Sequence, residues 1–94
     1  MNIHIVIQTL QELSGWLEGS KQNQEKIKEI IAELEKPDID ELKLQQLKFM
    51  LSTKMLFHPK WLGDVYVPNF VGDGTPFAWS AYLSQVADIC RENL

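Results

Sequence analysis

Cysteine, arginine and long apolar runs are what this chain has least of. Cys90 is the single cysteine among 94 residues, so no disulfide can close within the chain and a zinc site built on thiolates is excluded by count. One lone thiol suits a reducing compartment. No stretch approaches the ~20 apolar residues of a membrane span. The opening Met1-Asn2-Ile3-His4-Ile5-Val6-Ile7 lacks the positive start and long apolar core of a secretion signal. A cytoplasmic chain with no membrane association is the expectation. Residues 1–20 carry no lysine or arginine, and Arg91 is the only one of either after Lys60. The net charge is −4, and the lysines of residues 21–60 are interleaved with acids, whereas a nucleic-acid binder needs a net basic face. No nucleic acid is expected, and a basic or neutral protein partner is easier to accommodate.

Chemical motifs are missing as well. Gly72-Asp73-Gly74-Thr75 precedes a helix start, but a phosphate loop needs a longer spacing and a lysine, and Asp73 repels a phosphate. A tight turn into a Thr-capped helix accounts for it. Cys90 falls on an apolar helix stripe, where a thiol behaves as a small hydrophobe, and Arg91 points elsewhere on the helix. No catalytic residue, cofactor or metal ligand is assigned, and the chain is not expected to be an enzyme.

What is present is the composition of a globular protein, 45% hydrophobic and 23% charged, enough for one core and one helical domain over residues 1–94. The periodicity predicts an all-α bundle of four main helices. Val6, Leu10, Leu13 and Leu17 recur at helical spacing, widened by Ile3, Ile7 and Trp16, which predicts a first helix over Ile5 to Glu18. The alternation in Ile3 to Ile7 also suits a strand, but nothing convincing is available to pair with it. Gly15 inside that helix implies a bend or a close backbone approach. Gly19-Ser20 joins a helix-ending residue to an N-cap and predicts a hairpin, with a continuous helix from Ile5 to Lys36 as the competing arrangement. Ile27, Ile30, Ile31 and Leu34 form a narrow stripe on a charged second helix over Lys21 to Lys36, placed on the outside of the bundle.

Pro37 ends that helix, and Asp38 with Glu41 has the spacing of a capping box, so a third helix is expected from there to about Phe57. Leu42, Leu44, Leu47 and Leu51 leave it a polar face. Its second half, with Phe49, Met50, Met55, Leu56 and Phe57, is apolar nearly all round and needs cover on more than one side. Thr75 and Pro76 suit the cap and first turn of a last helix running to about Glu92. Its stripe is Trp79, Tyr82, Leu83, Val86, Ile89 and Cys90.

Seven of the nine aromatic residues lie between Phe57 and Tyr82, so the connection between the third and fourth helices is aromatic-rich where polar residues are usual. Phe57, Trp79 and Tyr82 fall on helix stripes and belong to the core. Trp61, Tyr66 and Phe70 sit on irregular chain with Asp64 and Asp73 nearby, the composition of an interface core with a polar rim. These five residues are the expected partner-binding set. Phe49, Met50, Met55 and Leu56 are the expected self-association set, consistent with a homodimer. The functional expectation is a small acidic protein-interaction module acting as an inhibitor, immunity protein, adaptor or assembly subunit. The alternative is a small-molecule binder or enzyme using His58, Asp64 and Asp73 around an aromatic-lined pocket.

Overall fold

The computed structural model describes residues 2–58, 60–62 and 76–94, apart from the side chains of Pro76 and Phe77. It is an all-α bundle of α1 (Ile3–Trp16), α2 (Lys21–Leu34), α3 (Glu41–Met50) and α4 (Pro76–Asn93). No strand occurs among the described residues, and no helix among them is long and apolar enough to cross a membrane.

Helix α1 starts two residues before the expected Ile5 because Asn2 caps it, its side-chain oxygen accepting from the Ile5 N–H at 3.3 Å. The strand-compatible Ile3 to Ile7 is therefore helical. At the other end the Leu17 N–H turns back to the Ser14 carbonyl and the Ser20 N–H to the Leu17 carbonyl, at 3.1 and 2.9 Å. That tight turn ends α1 at Trp16 rather than Glu18 and makes a hairpin, not a continuous helix. Gln24 latches it, its side-chain amide donating to the Ser14 carbonyl at 2.8 Å. Ser20 occupies the N-cap of α2, but its hydroxyl accepts from the Asn23 side chain instead of a helix N–H. Around Gly15 nothing lies within 4 Å of the Cβ it lacks, so the expected close backbone approach is not found.

Helix α2 ends at Leu34, two residues short of the expected Lys36, and α3 is capped by Asp40 and not by Asp38. The Asp40 carboxylate accepts from the Lys43 N–H at 2.6 Å, with its own backbone extended. The intervening chain tucks Ile39 against the core, which moves the first helical turn along by two residues. The larger correction is at the other end, where α3 stops at Met50 instead of reaching Phe57. The Leu56 N–H folds back to the Met50 carbonyl at 3.1 Å and the Phe57 N–H to that of Ser52 at 3.2 Å. Ser52 and Thr53 are weak helix formers, and successive turns bring Leu51, Leu56 and Phe57 to one side. All three are buried, as is Leu62. An apolar segment that would be greasy all round as a straight helix covers itself by turning.

Helix α1 packs against both α2 and α4, and the Asn2 N–H donates to the Asn93 carbonyl at 2.9 Å, so the start of α1 meets the end of α4. One continuous core results, with Val6, Leu10, Leu13 and Leu17 from α1 and its turn, Ile27, Ile30, Ile31 and Leu34 from α2, and Leu83, Val86, Ala87 and Cys90 from α4. The α2 stripe is thus core and only its opposite face is exterior. Each such aliphatic side chain contributes roughly 1.5–3 kcal/mol when fully buried.

Candidate protein-contact surface

His58 and residues 60–62 are tied together by backbone hydrogen bonds. The Trp61 N–H donates to the His58 carbonyl at 2.9 Å and the Leu62 N–H to the Leu56 carbonyl at 3.2 Å. His58 Nδ1 accepts from the Lys60 N–H at 3.0 Å. From α4, the Trp79 indole N–H reaches the Leu62 carbonyl at 2.8 Å in a buried hydrogen bond. With Leu62 anchored inward at 1% exposure, its neighbour Trp61 is turned outward and is 54% exposed.

Around Trp61 the structure brings together Met50 from α3, Met55 and Leu56 from the turns after it, and Lys26 from α2. The Lys26 ammonium lies 5.9 Å from the Trp61 ring centroid, a cation–π contact of about 0.5–1 kcal/mol at an exposed position. The hollow between them has a volume of about 30 Å³, room for a water or two, whereas a small-molecule site needs roughly 300–1,000 Å³. Its lining combines a large amphipathic ring, two adaptable thioethers and a lysine whose stem is apolar and whose head is charged.

Several sequence-predicted residues separate here. Trp61, Met50 and Met55 come together. Leu56 also lines the hollow, but at 5% exposure it is part of the core. Phe49 is 58% exposed but does not line the hollow. Asp64, Tyr66, Phe70 and Asp73 lie outside the described residues. The His58, Asp64 and Asp73 grouping therefore has only His58 on view, half-buried and engaged in the turn. Among the described residues no three metal-binding side chains cluster.

Sequence reasoning missed two residues. Lys26 is 35 positions before Trp61 and became its neighbour only through the hairpin; the available signal was its place on the edge of the α2 stripe beside Ile27 and Ile30. Leu42 was counted with the buried stripe of α3 and is 68% exposed.

A second aromatic group closes the bundle beside α1. Trp79 and Tyr82 stack with ring centroids 5.6 Å apart. Burial pushes the Tyr82 phenol up to about 12, helped by the negative charge of Glu12 and opposed by a hydrogen bond with Trp16. The Cys90 thiol is likewise pushed up to about 12 by burial, which makes it a poor nucleophile.

Comparison with models of known protein families, with curated proteins and with solved structures gives no match to this chain.

Proposed function

We propose that this chain is a non-enzymatic protein-binding module whose contact surface is centred on Trp61, working in the cytoplasm as an inhibitor, immunity protein, adaptor or assembly subunit. The observation that carries the reading is a half-exposed indole on a turn that is itself tightly held. A side chain this large and apolar gains most by being covered, and a fixed backbone means little conformational entropy is lost when a partner covers it. Met50 and Met55 beside it adapt to the shape of an incoming surface, and Lys26 and Lys60 supply a polar edge.

The partner is a second protein. Recovery of binding proteins from the source organism, followed by titration calorimetry with the purified partner, tests the assignment. Trp61→Ala is expected to weaken binding at least about tenfold, as truncation of an interface anchor does, and Lys26→Ala to weaken it less. Unchanged affinity in both variants, with helical content preserved, would place the contact surface elsewhere.

A further inference from the structure

The whole chain is acidic, but the surface around Trp61 is not. Thirteen acids outnumber nine basic residues, yet none of the thirteen lies between Glu41 and Asp64, where Lys43, Lys48, Lys54 and Lys60 all fall. Three of these lysines stand beside the Trp61 surface. Lys60 and Lys54 are exposed and immediately precede Trp61 and Met55 in the chain. Lys43 is seven positions before Met50 on α3, so at about 100° per residue it lies within about 20° of Met50 round the helix and about 10.5 Å from it along the axis. Lys48 is two positions before Met50, about 160° round the helix, and belongs to the opposite side. Lys26, brought in from α2, is the fourth cation at the surface and the one over the indole ring. Glu29, three positions on along α2, is the acid best placed to offset Lys26, while Glu33 is taken by Lys36. None of Lys26, Lys43, Lys54 and Lys60 forms an ion pair among the described residues.

From this local reversal of charge we infer that the segment received at Trp61 is acidic: a stretch of another protein in which an apolar side chain is flanked by Asp or Glu. The inference rests on the reading of Trp61 as the centre of a protein-contact surface and names the chemistry of what that surface takes. The apolar side chain covers the indole and the thioethers of Met50 and Met55, and carboxylates beside it meet Lys26 and Lys60. A basic partner matches the net charge of −4 but sets like charges together at this surface, which is unfavourable at contact. Charges elsewhere on the chain are screened beyond about 8 Å at physiological salt, so the nearby lysines decide. A nucleic acid also seeks cations, but over many phosphates and on a net basic face, and the rest of this chain is acidic. An acidic segment brings only a few charges, which suits a few lysines around an apolar centre.

Random peptides displayed on phage, selected on the full chain and counter-selected on Trp61→Ala, supply the probe. The recovered peptides are expected to be rich in Asp and Glu and poor in Lys and Arg. With one of them made synthetically, Lys26→Glu and Lys60→Glu are each expected to weaken binding about three- to tenfold, and added salt to weaken it in the parent chain. Lys48→Glu makes the same change in net charge on the opposite side of α3 and is expected to leave the affinity within about twofold. Circular dichroism checks that each variant keeps its helices. Peptides that need Trp61 but are neutral or basic overturn the inference and leave the Trp61 surface standing, and so does a loss in Lys48→Glu equal to that in Lys60→Glu. Recovery of no peptide that depends on Trp61 overturns the surface and the inference together. If oligothymidylate, or vesicles of phosphatidylcholine and phosphatidylserine in equal parts, bind through Lys26 and Lys60 more tightly than any selected peptide, the surface takes a phosphate polyanion and the inference fails.

Discussion

The Trp79 indole N–H donates to the Leu62 carbonyl at 2.8 Å, and this bond across 17 positions joins α4 to the turn that presents Trp61. It removes the polar cost of burying both a carbonyl and an indole in an apolar core. Through Leu62 it also decides which way the neighbouring indole faces. A core contact and a surface feature are thus set by the same hydrogen bond.

Replacing Trp79 by Phe keeps most of the ring and deletes the donor. The Leu62 carbonyl is then buried without that partner, at a cost of about 1–3 kcal/mol. Trp79→Ala also opens a cavity and is expected to cost roughly 3–5 kcal/mol. Urea unfolding measures both, and iodide quenching of Trp61 fluorescence is expected to change in Trp79→Phe because the turn loses its tie. An unchanged midpoint in Trp79→Phe would mean that the bond adds nothing net.

Asp40 and Asp38 make a sharper pair. Only Asp40 accepts a helix N–H, so Asp40→Ala is expected to lose about 0.5–2 kcal/mol of stability, whereas Asp38→Ala, which is exposed, stays within ~0.5 kcal/mol of the parent. Chemical denaturation of the two variants side by side decides which residue is the cap.

That capping difference shows how the sequence and the fold relate. Helix existence was legible, because stripes such as Val6, Leu10 and Leu13 or Leu83, Val86 and Cys90 repeat at the helical period and are buried as read. Helix ends were less so, since Asp38 and Asp40 both have acceptor side chains and only the burial of Ile39 favours one. The early stop of α3 was hidden for a related reason: Leu51, Leu56 and Phe57 look equally apolar in a helix or in a series of turns, and the hydrogen bonds that separate the two are backbone ones. The candidate surface was half legible. An aromatic on irregular chain marked Trp61, but Lys26 reaches it only through tertiary packing, and Leu42 was misassigned because one leucine on a leucine-rich helix looks like another until the buried face is known.

Burial of Cys90 makes stability fall in alkaline solution. The thiol's ordinary value is 9.0 and it is pushed up to about 12 in the fold, so above pH 9 the unfolded chain sheds this proton while the folded chain keeps it. The group's contribution is whole below pH 9 and is lost as pH rises from there to about 12. Its slope approaches 1.4 kcal/mol per pH unit. Tyr82, raised from 10.0 to about 12, adds in the same direction from pH 10. Denaturant melts between pH 8 and 11 are expected to show the decline, and Cys90→Ala to flatten its first part. A thiol reagent at pH 8 is expected to label the chain only after denaturation.

The two faces of α3 give the last contrast. Leu44 and Leu42 are two positions apart on one helix, yet Leu44 is buried and Leu42 stands in water. Leu44→Ala removes core side chain and leaves a cavity, at an expected cost of about 2–5 kcal/mol. Leu42→Ala removes atoms that touch little and places a better helix former at an exposed site, so its effect is expected to lie within about 0.5 kcal/mol of zero. Thermal or urea unfolding of both variants tests the assignment of faces directly. If Leu42→Ala proves as damaging as Leu44→Ala, the outer stripe is covered from within the same molecule.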